Sequence, residues 1–93
     1  MPEPRILDKI AIDATTTVVL YDWMEIPDCR NLVLKDGDRV RWRALPPLGD
    51  EPHRDCFVAV SWDGMALTAH TFSGFSVAVD IASGAISILK FTK

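Results

Sequence analysis

Three glycines stand ten residues apart in the last third of this chain, and each follows a small polar residue: Asp63-Gly64, Ser73-Gly74 and Ser83-Gly84. Such dipeptides mark turns, because glycine reaches positive φ without a Cβ clash. Between the turns lie runs rich in apolar and β-branched residues, at 57–62, 65–72, 75–81 and 85–91. Runs of this length joined by tight turns describe a four-strand antiparallel meander. The ten-residue period is a hairpin period, too short for a propeller blade.

The meander has internal detail. Phe75, Val77, Val79 and Ile81 alternate with Ser76, Ala78 and Asp80, the pattern of a half-buried strand. In the last run Ile86 and Ile88 share a phase that Leu89 and Phe91 break. A one-residue slip of this kind predicts a β-bulge, or an end buried on both faces.

The front half reads as strands too. Residues 5–13 alternate in part, with Ile6, Asp8, Ile10 and Ile12 on one face. Residues 15–26 carry Thr, Val, Leu, Tyr and Trp, and are expected to run as one strand until Pro27 removes a ladder donor. Both faces of that strand are apolar up to Tyr21, which suggests a central strand or one capped on its second side. Asp36-Gly37 between 32–35 and 39–45 is a strong hairpin signal. Strict alternation there would put Arg39, Arg41 and Arg43 on one face and Val40, Trp42 and Ala44 on the other. The arginines could grip phosphates, but a solvated face paired with carboxylates is the plainer reading. The segment 46–52, with Pro46, Pro47, Pro52 and Gly49, is a surface loop. No window shows sustained 3.6-residue periodicity, so a long helix is not expected. The expected fold is all-β: a single domain spanning 1–93, built as one antiparallel sheet of seven or eight strands. That meander would be curled or partly closed into a barrel, its concave face burying the core.

Composition narrows function. With 93 residues, 48% apolar and 25% charged, the chain has the make-up of an ordinary soluble globular domain. A net charge of −3 argues against a nucleic-acid binder, which needs a positive field toward phosphates. The acidic excess lies in front: residues 1–53 hold ten acidic and seven basic side chains, and residues 54–93 hold three of each. The polar start Met1-Pro2-Glu3-Pro4, with no long apolar run after it, fits neither a signal peptide nor a membrane span. Cys29 and Cys56 make no metal-ligand spacing and read as reduced thiols of a cytoplasmic protein.

Catalytic signals are weak. His53-Arg54-Asp55-Cys56 gathers an imidazole, a carboxylate and a thiol, but alternation on a strand turns Cys56 away from His53 and Asp55. His70 has no second ligand at metal spacing. There is no phosphate-binding glycine loop and no nucleophile elbow. The expectation is a protein that is not an enzyme and uses no cofactor and no metal. Trp42 and Trp62 fit inward faces and read as core. Trp23 differs, because Asp22, Glu25 and Asp28 surround it in sequence. An aromatic ringed by carboxylates suits a basic protein partner. A strand end whose tryptophan packs under a loop is the competing reading.

The stretches Val60-Ser61-Trp62-Asp63-Gly64, then 67–75, then 79–86, and the ending Phe91-Thr92-Lys93 resemble small bacterial immunity proteins found beside polymorphic toxins. Immunity proteins of contact-dependent growth inhibition systems are among them. The resemblance covers residues 57–93. It implies inhibition by binding: an immunity protein masks or clamps its cognate toxin. Many such toxins are nucleases and basic, so an acidic inhibitor gains on-rate by steering. The expected contact residues are Asp22, Trp23, Glu25 and Asp28, with Asp50 and Glu51 of the proline loop as a second patch. The alternative is a small-ligand-binding β-barrel, or an accessory subunit of a larger complex, with tryptophans lining a cavity.

Overall fold

The computed structural model describes residues 4–26, 30–47 and 55–91. Eight strands follow in chain order: β1 (Ile6–Ala11), β2 (Thr16–Tyr21), β3 (Leu32–Asp36), β4 (Arg39–Ala44), β5 (Phe57–Trp62), β6 (Leu67–Thr71), β7 (Phe75–Val79) and β8 (Ile86–Phe91). Strands that follow one another in sequence pair antiparallel, from β1 to β4 and again from β5 to β8. The all-β meander expected from the turn spacing is present. Gly64, Gly74 and Gly84 take φ of 96°, 110° and 77° at its turns.

The single sheet is not. The strands form two four-stranded sheets, β1-β2-β3-β4 and β5-β6-β7-β8, and no barrel closes. The inner faces explain the division. In the first sheet Val18 pairs with Leu34 and Leu34 with Trp42, while Leu20 pairs with Leu32 and Leu32 with Ala44. In the second, Ala69 pairs with Val77 and Leu67 with Val79. These residues and Phe57 form one buried cluster drawn from both sheets. Each meander thus has one apolar face, and packing the two together removes both from water without ring closure. The molecule is accordingly thin, 19 Å along its shortest axis, as two layers spaced about 10 Å apart require. Pro46 and Pro47 lie between β4 and β5, where missing N–H groups oppose a continuous ladder.

Two expectations within the strands need correction. The strand expected over 15–26 stops at Tyr21, before Trp23. Asp22 ends it by capping a 3₁₀ turn, Trp23–Glu25, so Pro27 is not what breaks the ladder. The arginine stripe is also interrupted. Leu34 pairs with Trp42 but Lys35 with Val40, which leaves Arg41 as the extra residue of a bulge. Cross-strand partners share a face. Val40 therefore joins Arg43 on the outer face, and Arg39, opposite Asp36, takes the other phase. By contrast the slip foreseen in the last strand is a bulge: Val77 pairs with Ile88 and Ser76 with Lys90, leaving Leu89 unpartnered.

Polar side chains join the layers. Asn31, fully buried, donates from Nδ2 to the carbonyls of Tyr21 (2.9 Å) and Phe57 (2.7 Å), and its Oδ1 accepts from Phe57 N–H at 3.0 Å. Trp42 Nε1 donates to the Ile81 carbonyl at 2.7 Å, across from the first sheet to the second. Among the described residues no buried side-chain nitrogen or oxygen lacks a partner.

Candidate functional site

The segment 22–26 follows β2 at the rim of the first sheet. Local capping decides its form. Asp22 Oδ1 accepts from Met24 N–H at 3.0 Å, and the Asp22 carbonyl accepts from Glu25 N–H at 3.0 Å. These bonds satisfy donors that a helical start leaves open. The turn is then tied to β1. Asp22 N–H donates to the Arg5 carbonyl at 2.7 Å, and Arg5 N–H donates to Glu25 Oε2 at 3.3 Å. Ile26 closes it from below by packing on Val19, Tyr21 and Val33, the outer-face cluster of the first sheet. That cluster is why β2 reads as apolar on both sides.

The result is a short turn held at both ends with its apolar side chains outward. Trp23 is 36% exposed and Met24 83%. Glu25 is exposed and Asp22 half-buried. Trp23, Asp22 and Glu25 therefore come together, but the two carboxylates are not idle: one caps the turn and the other holds the start of β1. Asp28, Asp50 and Glu51 lie outside the described residues.

Met24 was not singled out by sequence reasoning, although it is far more exposed than Trp23. The signal was available. Asp22-x-x-Glu25 is a capping pattern, and recognising it turns residues 23 and 24 from strand positions into helical-turn positions.

Two clefts flank this region of the first sheet. One, of about 230 Å³, lies on the outer face over Thr17, Val19 and Tyr21, between Lys9 and Lys35. Lys35 Nζ sits 5.8 Å from the Tyr21 ring centre. The other, of about 470 Å³, is a shallow depression where Pro46 and Pro47 meet the β7–β8 turn at Gly84.

In the Asp55-Cys56 pair the thiol is buried and the carboxylate serves structure. Asp55 is buried, and its Oδ1 accepts from Cys56 N–H at 2.9 Å and Ser73 N–H at 3.2 Å. Its Oδ2 accepts a short hydrogen bond from Ser73 Oγ. The carboxylate thus pins the β6–β7 turn to the start of β5. His53 lies outside the described residues. His70, on β6, shares a hydrogen bond with Ser76 Oγ at 2.9 Å across the strand pair. Among the described residues no three metal-ligating side chains converge, and no helix is long and apolar enough to cross a membrane.

No protein-family model matches this chain, and neither characterised proteins nor solved structures provide a match to it.

Proposed function

We propose that this chain is a non-enzymatic immunity protein that binds and neutralises one cognate toxin domain in the cytoplasm. The observation that carries the reading is the capped Trp23–Glu25 turn, which presents an indole and a thioether to solvent beside carboxylates. A large apolar anchor held by fixed backbone and rimmed by charge is what protein-binding hot spots are made of. The acidic balance of the front half supports a basic partner, and a nuclease is the toxin class such charge suits. Asp28, Asp50 and Glu51, acidic residues of the same half of the sequence, are further candidates for partner contact. The test is neutralisation. The toxin domain encoded beside this chain is expressed alone and with it. The reading expects growth arrest without the chain, rescue with it, and a one-to-one complex on purification. Arrest that persists despite full expression of the chain overturns it.

A second reading is favoured by one observation, the 230 Å³ cleft between Lys9 and Lys35. Its two lysines, set against the one carboxylate of Asp38 in the lining, and the Tyr21 ring beneath suit a small acidic ligand, held as part of an accessory subunit. Such a ligand would sit on a sheet face and not inside a barrel. A thermal-shift panel of small carboxylates and phosphates separates the readings, since only this one expects a rise in melting temperature.

A further inference from the structure

Among the described residues the last strand, β8, is an edge strand paired only with β7, and almost all of it is open to solvent. Ile88, Leu89 and Phe91 are 58%, 60% and 53% exposed. Ile88 and Phe91 pair with Val77 and Phe75, so they belong to the face that packs inward elsewhere in the sheet. They nonetheless stay more than half exposed. Phe91 packs against Phe75, with ring centres 4.6 Å apart. Soluble chains usually blunt such edges with charge. Here Lys90 is the single charged residue of the strand.

We infer that β8 is the contact strand of a symmetric homodimer, pairing antiparallel with β8 of a second copy. The bulge makes the strand self-complementary. Skipping Leu89, as the pairing with β7 does, leaves Ile86, Ser87, Ile88, Lys90 and Phe91 as the paired positions. A two-fold axis at Ile88 then sets Ile88 against Ile88 of the other copy, Ile86 against Phe91, and Ser87 against Lys90. Partners in each pair lie on the same face, as a sheet demands. Apolar meets apolar and the lysine meets a hydroxyl, with no like charges opposed. The extra residue falls at the same place in both copies, so the bulge does not block pairing. The product is a continuous eight-stranded sheet in which Ile88 of each copy lies beside Ile88 of the other and Phe91 beside the other copy's Ile86.

Other edges fit a second copy less well. On β4, self-pairing would crowd Arg39, Arg41 and Arg43 against their own copies. β1 offers less open apolar surface, Ile6 and Leu7 being 42% and 41% exposed. β5 lies against β1 and β2 of the first sheet. The area is sufficient. At ~150–250 Å² for a whole aromatic side chain and somewhat less for an aliphatic one, the three exposed residues leave roughly 300 Å² open per copy. With the backbone and neighbours included, two copies bury on the order of 1,000 Å², the threshold for a specific interface. This inference is independent of the proposed toxin binding.

The test is sedimentation of the intact chain over a concentration series, alone and with two variants. The wild type is expected to show a concentration-dependent monomer–dimer equilibrium. Ile88→Lys, which places a charge on the axis at an exposed position, is expected to weaken association at least tenfold with an unchanged circular-dichroism spectrum. Ile88→Cys is expected to form a disulfide-linked dimer on mild oxidation, because residue 88 faces itself, whereas Ser87→Cys does not. A wild type that stays monomeric at the highest soluble concentration overturns the inference. So does a dimer that survives Ile88→Lys, or one in which Ser87→Cys cross-links and Ile88→Cys does not. The cysteine pair keeps the inference testable should the lysine variant misfold.

Discussion

Asn31 and Phe57 exchange two hydrogen bonds in opposite directions: Nδ2 donates to the Phe57 carbonyl at 2.7 Å, and Phe57 N–H donates to Oδ1 at 3.0 Å. The side-chain amide does between the two sheets what a residue pair of an antiparallel ladder does within one. Its second N–H holds the Tyr21 carbonyl at the end of β2. One residue therefore joins β2, β3 and β5 at a point sealed from water.

Replacing Asn31 with leucine keeps the volume close and removes the bonds. Two carbonyls and one N–H are then left without that partner. An unsatisfied buried group costs about 1–3 kcal/mol, so Asn31→Leu is expected to destabilise the fold by about 3 kcal/mol. Urea denaturation measures it. A loss under ~1 kcal/mol would mean that the sheets do not depend on this joint.

Gly84 and Trp42 form the second joint. A Cβ on Gly84 would lie 2.6–2.8 Å from three atoms of the indole, Cδ2, Cε3 and Cγ. The ring cannot retreat easily, because its Nε1 holds the Ile81 carbonyl. Gly84→Ala is thus expected to cost about 3 kcal/mol from overpacking and positive φ together. Gly64→Ala, with φ of 96° and nothing within 4 Å, is expected to cost only about 1 kcal/mol. Thermal melts of the two variants should differ accordingly.

Two exposed turn carboxylates should make stability fall in acid. Asp63 is held below the usual carboxylate range by the backbone N–H groups of Ala66 and Met65. Asp13 is held there by the N–H groups of Thr15 and Thr16, with help from the threonine hydroxyls. A folded pKa below the unfolded one stabilises the native state above the ordinary carboxylate value, about 3.9. That stabilisation disappears as pH falls through the lower folded value. Asp13→Asn with Asp63→Asn keeps an acceptor at each turn but removes the titration. Denaturant midpoints from neutral pH into acid should decline less steeply in the double variant than in the wild type.

Within the candidate surface, stability and binding can be separated. Asp22 caps the turn, so Asp22→Ala is expected to cost about 1 kcal/mol by itself. Met24 is largely open to solvent, so Met24→Ala should stay within ~0.5 kcal/mol of wild type. Chemical denaturation of both variants checks the assignment, and it marks Asp22 as an ambiguous probe of partner binding.

Much of the fold was legible because turn chemistry and period-two alternation are local. All eight strands, and the slip at Leu89, follow from those signals. The division into two sheets does not, since nothing local states whether β5 pairs with β4 or packs across it. Asn31 was hidden for a related reason: an asparagine after Cys29-Arg30 reads as turn chemistry, and its partner Phe57 is 26 residues away. The bulge at Arg41 interrupts an alternation that looks unbroken in sequence. At the candidate surface the acidic-aromatic cluster is readable from 22–28, and so is the Asp22-x-x-Glu25 capping pattern, whereas the exposure of Met24 depends on tertiary packing that no local signal states.

The claim at the centre of this account is that the Trp23–Glu25 turn engages a basic protein partner. It is tested most directly by the dissociation rate of the chain from the cognate toxin domain that the proposed function requires, for wild type, Trp23→Ala and Glu25→Lys, with melting temperatures taken alongside. The account predicts a slow wild-type rate and an increase of at least tenfold in each folded variant. A complex that forms and dissociates at the same rate in all three would contradict it.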